Sequence, residues 1–205
     1  MLRVGDGELK TGEATRLVDA YAREHATAVR FYDFEGDPDG EVRPSKGPIS
    51  LSDVGRLAVV TPKLTAEEAA RLLGISTVQW SSVAPTARLE HADHGEPDGI
   101  YFAMHSMWAQ VQKCGVGSGK VSKLLHLKRP FAFPLLDRTI CDAYAKRHRK
   151  TSDYWRLIRD DLVDGATELD RIRDTLASSK NRDVQRASRL PALRVLYIIG
   201  RQLQL

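Results

Sequence analysis

Asp137 is the residue of this chain best placed by its neighbours to do chemistry, and Gly115-Val116-Gly117-Ser118-Gly119-Lys120 is the segment best suited to hold something for it. A carboxylate that ends a proline-containing loop, Pro134-Leu135-Leu136-Asp137-Arg138, can cap the helix that follows or stabilise positive charge developing on a substrate. One residue can do both. A Gly-x-Gly turn that opens a helix presents backbone N–H groups without partners, and those groups bind phosphate.

The charge distribution points the same way. Residues 111–150 carry ten Lys or Arg (113, 120, 123, 128, 129, 138, 146, 147, 149 and 150) against Asp137 and Asp142, a net +8 in a chain whose total is +4. Basic charge gathered in one stretch is what a phosphate-backbone binder needs, because neutralised phosphates release their counterions. The plain alternative is a solvated basic face.

Elements must bring these groups together, and helical patterns run from end to end. Ala14, Leu17, Val18, Tyr21 and His25 recur at helical spacing and predict a first helix over 13–29. Residues 34–48 collect Gly, Pro and Asp and read as a long connection. Ser50-Leu51-Ser52-Asp53 caps a short helix that reaches Val59, and Leu64-Thr65-Ala66-Glu67-Glu68 is a capping box for a helix that ends at Gly74. After a polar stretch over 81–97, Ile100, Met104, Met107, Trp108 and Val111 form a helical face that leads into the glycine turn. A second helix over 118–126, with Val121, Leu124 and Leu125 inward, stops before Pro130. Asp137 heads a helix bearing Ile140, Cys141 and Tyr144; Trp155, Ile158 and Leu162 mark the next, closed by Gly165; Leu169, Ile172 and Leu176 continue the rhythm. A last apolar helix starts at Pro191 and carries Leu196, Ile199 and Leu203. No convincing pair of alternating strands stands out, so the expected fold class is all-α with about ten short helices.

Residues 114–137 resemble the helix-hairpin-helix DNA glycosylase superfamily, in which a Gly-hydrophobic-Gly hairpin is followed, after a helix and a Pro-containing loop, by an essential aspartate. The run Lys123-Leu124-Leu125-His126-Leu127-Lys128-Arg129-Pro130 through Phe133-Pro134-Leu135-Leu136-Asp137 also resembles a family of bacterial proteins of about this chain's length with no assigned activity. The glycosylase resemblance implies two interlocked helical lobes in a single globular unit over 1–205: a hairpin-bearing lobe over 50–137, and a second made by 1–49 with 138–205. It implies backbone phosphate contact at Gly115, Gly117 and Gly119, charge from Lys120, Lys123 and Arg138, and a monovalent cation at the hairpin with no other cofactor. Asp137 then stabilises an oxocarbenium-like sugar and orients water while the target base is flipped into a pocket. Trp80, Tyr101, Trp108, Phe131 and Phe133 are the candidate lining, with Trp108 on an inward helix face and the two phenylalanines in a loop where partial exposure is expected. The implied partner is double-stranded DNA and the implied enzyme a monofunctional glycosylase; the alternative is a non-catalytic nucleic-acid-binding or protein-interaction module on the same fold.

Two departures bear on that reading. The superfamily's strand-cleaving members place lysine two residues after the second hairpin glycine, where this chain has Gly119, with Lys120 one later. Strand cleavage through a lysine amine is therefore not expected. The loop proline is also one place farther from the aspartate, with Leu135 and Leu136 between.

Other motifs are weaker. Gly117-Ser118-Gly119-Lys120 is half of a P-loop, but Cys114 and Val121 stand where Gly and Ser or Thr are required, and a helix pattern precedes it. Glu90-His91-Ala92-Asp93-His94 gathers possible metal ligands without a third one set by spacing, and a polar surface loop is the simpler reading. His126 and His148 are expected at phosphate contacts or in solvent. Two cysteines are too few for a tetrathiolate site, and with no membrane-span-length apolar run and no secretory signal pattern the expected compartment is the cytoplasm.

Overall fold

The computed structural model describes residues 1–35, 40–61, 63–144 and 151–203, and of 151–153 the backbone alone. The chain opens with a β-hairpin, β1 (Leu2–Val4) against β2 (Gly7–Leu9), antiparallel with Leu2 opposite Leu9 and Val4 opposite Gly7. Helices follow: α1 (Thr11–Glu24), α2 (Ala26–Ala28), α3 (Leu51–Val59), α4 (Ala66–Leu73), α5 (Ile100–Gln112), α6 (Ser118–Lys128), α7 (Arg138–Tyr144), α8 (Thr151–Asp164), α9 (Ala166–Ala177), α10 (Arg182–Ala187) and α11 (Ala192–Gln202). The described residues are thus mainly helical, with one two-stranded sheet.

Three details differ from the sequence reading. The hairpin was not expected, because strands of three residues are too short to show alternation; its signal is the Gly5-Asp6-Gly7 turn, in which Gly5 has φ +62°. An added Cβ at Gly5 would lie 2.4 Å from the Ala143 carbonyl oxygen, so glycine is required there for close approach as well. The first helix ends at Glu24 and, past α2, widens into a π-helical turn, Val29–Asp33. Helix α10 arises where no apolar period was evident, capped by the Asn181 side chain on the amides of Asp183 and Val184.

Local capping explains the other boundaries. Ser50 and Asp53 form a reciprocal box at the head of α3, as Thr65 and Glu68 do at the head of α4, which stops at Gly74. Helix α11 is buried along 193–200 and packs against α1, α7, α8, α9 and β1, while α6 packs against α3 and α5. One continuous apolar core runs through the molecule, with Trp155 fully enclosed among Tyr101, His105, Trp108 and Phe133. No described helix is long and apolar enough to cross a membrane.

The core also contains a buried ion pair. Asp33, at the end of the π-helical turn, accepts from Arg194 Nε at 3.0 and 3.2 Å and from its terminal nitrogen at 3.1 Å. The guanidinium carbon lies 5.7, 5.4 and 5.1 Å from the ring centroids of Tyr21, Tyr32 and Tyr197. Burial alone would lower the Arg194 pKa, but Asp33 and the three tyrosine oxygens outweigh it and push the value up.

Candidate functional site

Asp137 stands immediately before α7, where its backbone and one carboxylate oxygen begin the helix: Oδ1 accepts from the Ile140 amide at 3.0 Å. Its other oxygen, Oδ2, accepts from the Tyr197 hydroxyl at 2.6 Å, and that hydroxyl in turn accepts from Arg201 at 3.3 Å. The loop that delivers Asp137 is held to α6 by two side chains one turn apart. Ser122 Oγ donates to the Pro134 carbonyl oxygen at 3.1 Å and accepts from the Leu136 amide at 2.6 Å, and His126 Nδ1 donates to the Phe133 carbonyl oxygen at 2.8 Å. His126 is therefore a buried positioning group and not a phosphate contact. Burial keeps its imidazole neutral, with the pKa down at about 3 despite the bond to Phe133.

Asp137 lines a cleft of about 260 Å³ with Trp108, Ser118, Gly119, Leu136, Arg138, Cys141 and Tyr154. That is slightly below the usual range for small-molecule pockets, and its wall includes the first turn of α6. The turn in front of that helix is open. Gly115 (φ +72°) and Gly117 are both exposed and have no atom within 4 Å of where a Cβ would stand. Gly117 provides no side-chain cap, so the amides of Ser118 and Gly119 are first-turn N–H groups that a ligand can reach. The segment follows helix α5 and not a strand, which removes the structural context of a P-loop.

The other expected site residues have varied fates. Arg138 projects into solvent beside the cleft, 94% exposed and 3.7 Å from Asp142. Lys120 is tied elsewhere: its ammonium donates to Glu68 at 2.5 and 2.6 Å and to the Lys63 carbonyl oxygen at 3.1 Å, and this contact holds the Glu68 carboxyl below its usual range. Lys123 donates to the Val60 carbonyl oxygen at 2.9 Å, half-buried. Lys128 is wholly buried on Asp53, Ser45 and the carbonyl oxygens of Lys46 and Pro48, and Arg129 is buried on the carbonyl oxygens of Trp80, Val83 and Lys128. The basic stretch is therefore not one solvated face: within it Lys113 and Arg138 reach solvent, whereas Lys146, Arg147, His148, Arg149 and Lys150 lie outside the described residues.

Of the candidate aromatic lining, Trp108 borders the cleft. Phe133, expected to be partly exposed, is fully buried 5.5 Å from Trp155, because His126 and Ser122 draw its loop inward. Tyr101 also packs on Trp155, Phe131 lies half-buried beneath Arg88, and Trp80 lies beneath Lys128. Tyr154, Cys141, Tyr197 and Ser122 complete the surroundings of Asp137 and were not foreseen. Tyr197 is 60 residues away from Asp137, and no local spacing announces such a pairing.

Glu90, His91, Asp93 and His94 form no metal site: among the described residues no three His, Cys, Asp or Glu side chains are placed to hold an ion. Both cysteines are free thiols and partly buried. Comparison with curated proteins and with solved structures gives no match to this chain. A model of a family of unknown function, DUF6308, matches residues 14–204, almost the entire sequence, and the chain belongs to that family.

Proposed function

We propose that the protein binds nucleic acid through the glycine turn between α5 and α6 and acts as a monofunctional glycosylase of the helix-hairpin-helix type, with Asp137 as its catalytic carboxylate. The observation that carries this reading is the shared cleft: Asp137 and the uncapped first turn of α6 line one opening, directly behind a bend whose two glycines, Gly115 and Gly117, are exposed while Val116 is anchored in the core. Amides of the bend and first turn would hold a backbone phosphate, Arg138 would add charge at the rim, and an extruded base would enter between Trp108 and Tyr154. A carboxylate offers about four acceptor sites, and the Ile140 amide and Tyr197 hydroxyl occupy two, so Asp137 keeps capacity to orient water and to face a developing oxocarbenium centre. Lys120, bound to Glu68, has no part in this scheme.

One observation favours a second reading, a binder without chemistry. Both oxygens of Asp137 already have protein partners, as a purely structural helix cap would.

Duplexes carrying a panel of damaged or modified bases, incubated with the wild type and Asp137→Asn and then assayed for abasic sites, separate the two. Asparagine preserves the cap, so the variant folds and binds; abasic product from the wild type alone supports hydrolysis. Binding without product on any duplex leaves the binder. Gly117→Ala adds a methyl group that meets no protein atom and obstructs only an approaching ligand, so undiminished duplex affinity in that variant would refute both readings.

A further inference from the structure

Lys123 and Arg201 are cations with no ion-pair partner among the described residues, the nearest acid, Asp137, reaching them only at longer range. The Lys123 ammonium donates to the Val60 carbonyl oxygen at 2.9 Å, and Arg201, in the last turn of α11, donates to the Tyr197 hydroxyl at 3.3 Å. Among the described residues neither forms an ion pair. Both line one crevice between α1, α6 and α11, together with Tyr21, Tyr32, Tyr197 and Arg194. Arg194 is neutralised by Asp33, and the Tyr21 hydroxyl accepts from Arg194 at 3.3 Å, which leaves its proton to donate. Asp137 meets this crevice through the Tyr197 hydroxyl, while its own cleft lies beyond.

The two cations share a partly buried space without a direct acid between them, and the imbalance falls on Lys123: burial would lower the Arg201 pKa, but Tyr197, Tyr21 and Asp137 outweigh it. Burial lowers the Lys123 pKa; Asp137 opposes that shift, and Arg201 and Arg194 add to it. An anion seated between them relieves the repulsion and satisfies the donors. The inner space, about 20 Å³, admits roughly one water-sized atom, so one oxygen of a ligand fits within and the rest remain at the mouth.

We propose that this crevice is a binding site for a tetrahedral oxyanion of the phosphate class, held by Lys123, Arg201 and the Tyr21 hydroxyl. The site is separate from the Asp137 cleft and stands whether or not that cleft performs chemistry. Its source is either free phosphate or a phosphate of a nucleic-acid strand.

Inorganic phosphate titrated into the full chain at constant ionic strength, with NMR of amides and lysine side chains, reads the site directly. The expected result is a saturable shift at the Lys123 Hε–Cε signal and at amides near Val60 and Arg201, with the Lys123 ammonium titrating at higher pH when phosphate is bound. Lys123→Met and Arg201→Met should each weaken binding by about tenfold, the loss of one charge-assisted bond, and Lys113→Met should not. A parallel arm uses a short single-stranded oligonucleotide: displacement of phosphate from these signals identifies a strand phosphate as the source, and saturation by phosphate alone identifies the free anion. No response at Lys123 to either probe in the wild type, or a response that both methionine variants leave unchanged, overturns the proposal. The wild-type titration is decisive even if a variant fails to fold, and the abasic-site assay on Asp137 succeeds or fails independently of it.

Discussion

Replacing Asp33 by asparagine tests how the buried pair organises the molecule. The change keeps side-chain volume but removes the charge that answers Arg194, which is 2% exposed and stacked among three tyrosines. Leaving a buried guanidinium unpaired costs about 3–5 kcal/mol, a large part of the roughly 5–15 kcal/mol that holds a typical domain together. For a chain of this size that corresponds to a fall in Tm on the order of 10 °C. Arg194→Met should cost a similar amount, since it strands the carboxylate of Asp33, itself 3% exposed. The double variant Asp33→Leu with Arg194→Met removes both charges together, and buried pairs replaced in this way are often neutral in stability. Urea unfolding of the wild type, Asp33→Leu, Arg194→Met and the double variant, followed by circular dichroism and extrapolated linearly, closes the cycle and gives the coupling energy, expected at about 3 kcal/mol or more. Additive losses, or single variants within about 1 kcal/mol of wild type, would refute the reasoning, because the pair would then be solvated and not a closed tie across 161 residues.

Further expectations concern pH, the cap, the turn and the lysines. His126 has a folded pKa of about 3 against an unfolded value near 6.5, so the unfolded chain takes up the proton first. Its contribution to stability is present above pH 6.5 and is lost as pH falls towards 3, by about 1.4 kcal/mol per unit. Comparing pH-dependent unfolding of the wild type with His126→Gln should show a slope shallower by one proton in the variant; equal slopes would mean the imidazole is solvated. Asp137→Ala should cost about 2–3 kcal/mol, for the lost cap on Ile140 and the buried Tyr197 hydroxyl left without its acceptor, while Asp137→Asn keeps the cap and should cost about 1 kcal/mol, as read by urea midpoints. Gly115→Ala should cost about 1–2 kcal/mol because its backbone lies at φ +72°, and Gly117→Ala, at φ −61°, less than about 1 kcal/mol. If duplex binding is observed, Arg138→Met should reduce the slope of log affinity against log salt by about 0.9, whereas Lys120→Met should leave that slope unchanged and lower the unfolding midpoint instead.

Much of the site's local frame was legible in the chain itself. The boxes at Ser50 and Thr65, the stop at Gly74, the glycine turn between two helices and the position of Asp137 ahead of α7 all follow from residues within about four places of one another, where helix geometry couples neighbours directly. The N-terminal hairpin escaped because three-residue strands carry too little pattern, and α10 because a cap at Asn181 substitutes for an apolar stripe.

What tertiary structure alone decided is the use of each charge. Composition recorded ten basic residues over 111–150, but only packing assigned Lys128 to Asp53, Lys120 to Glu68 and Arg129 to backbone carbonyl oxygens, leaving Arg138 at the cleft and Lys123 facing Arg201. The long-range partners of Asp137 and Asp33 come from α11, 60 and 161 residues distant. Capping is dictated by the short reach of a side chain to its own backbone, whereas pairing across such separations depends on which helices share a core, and that is a property of the whole fold.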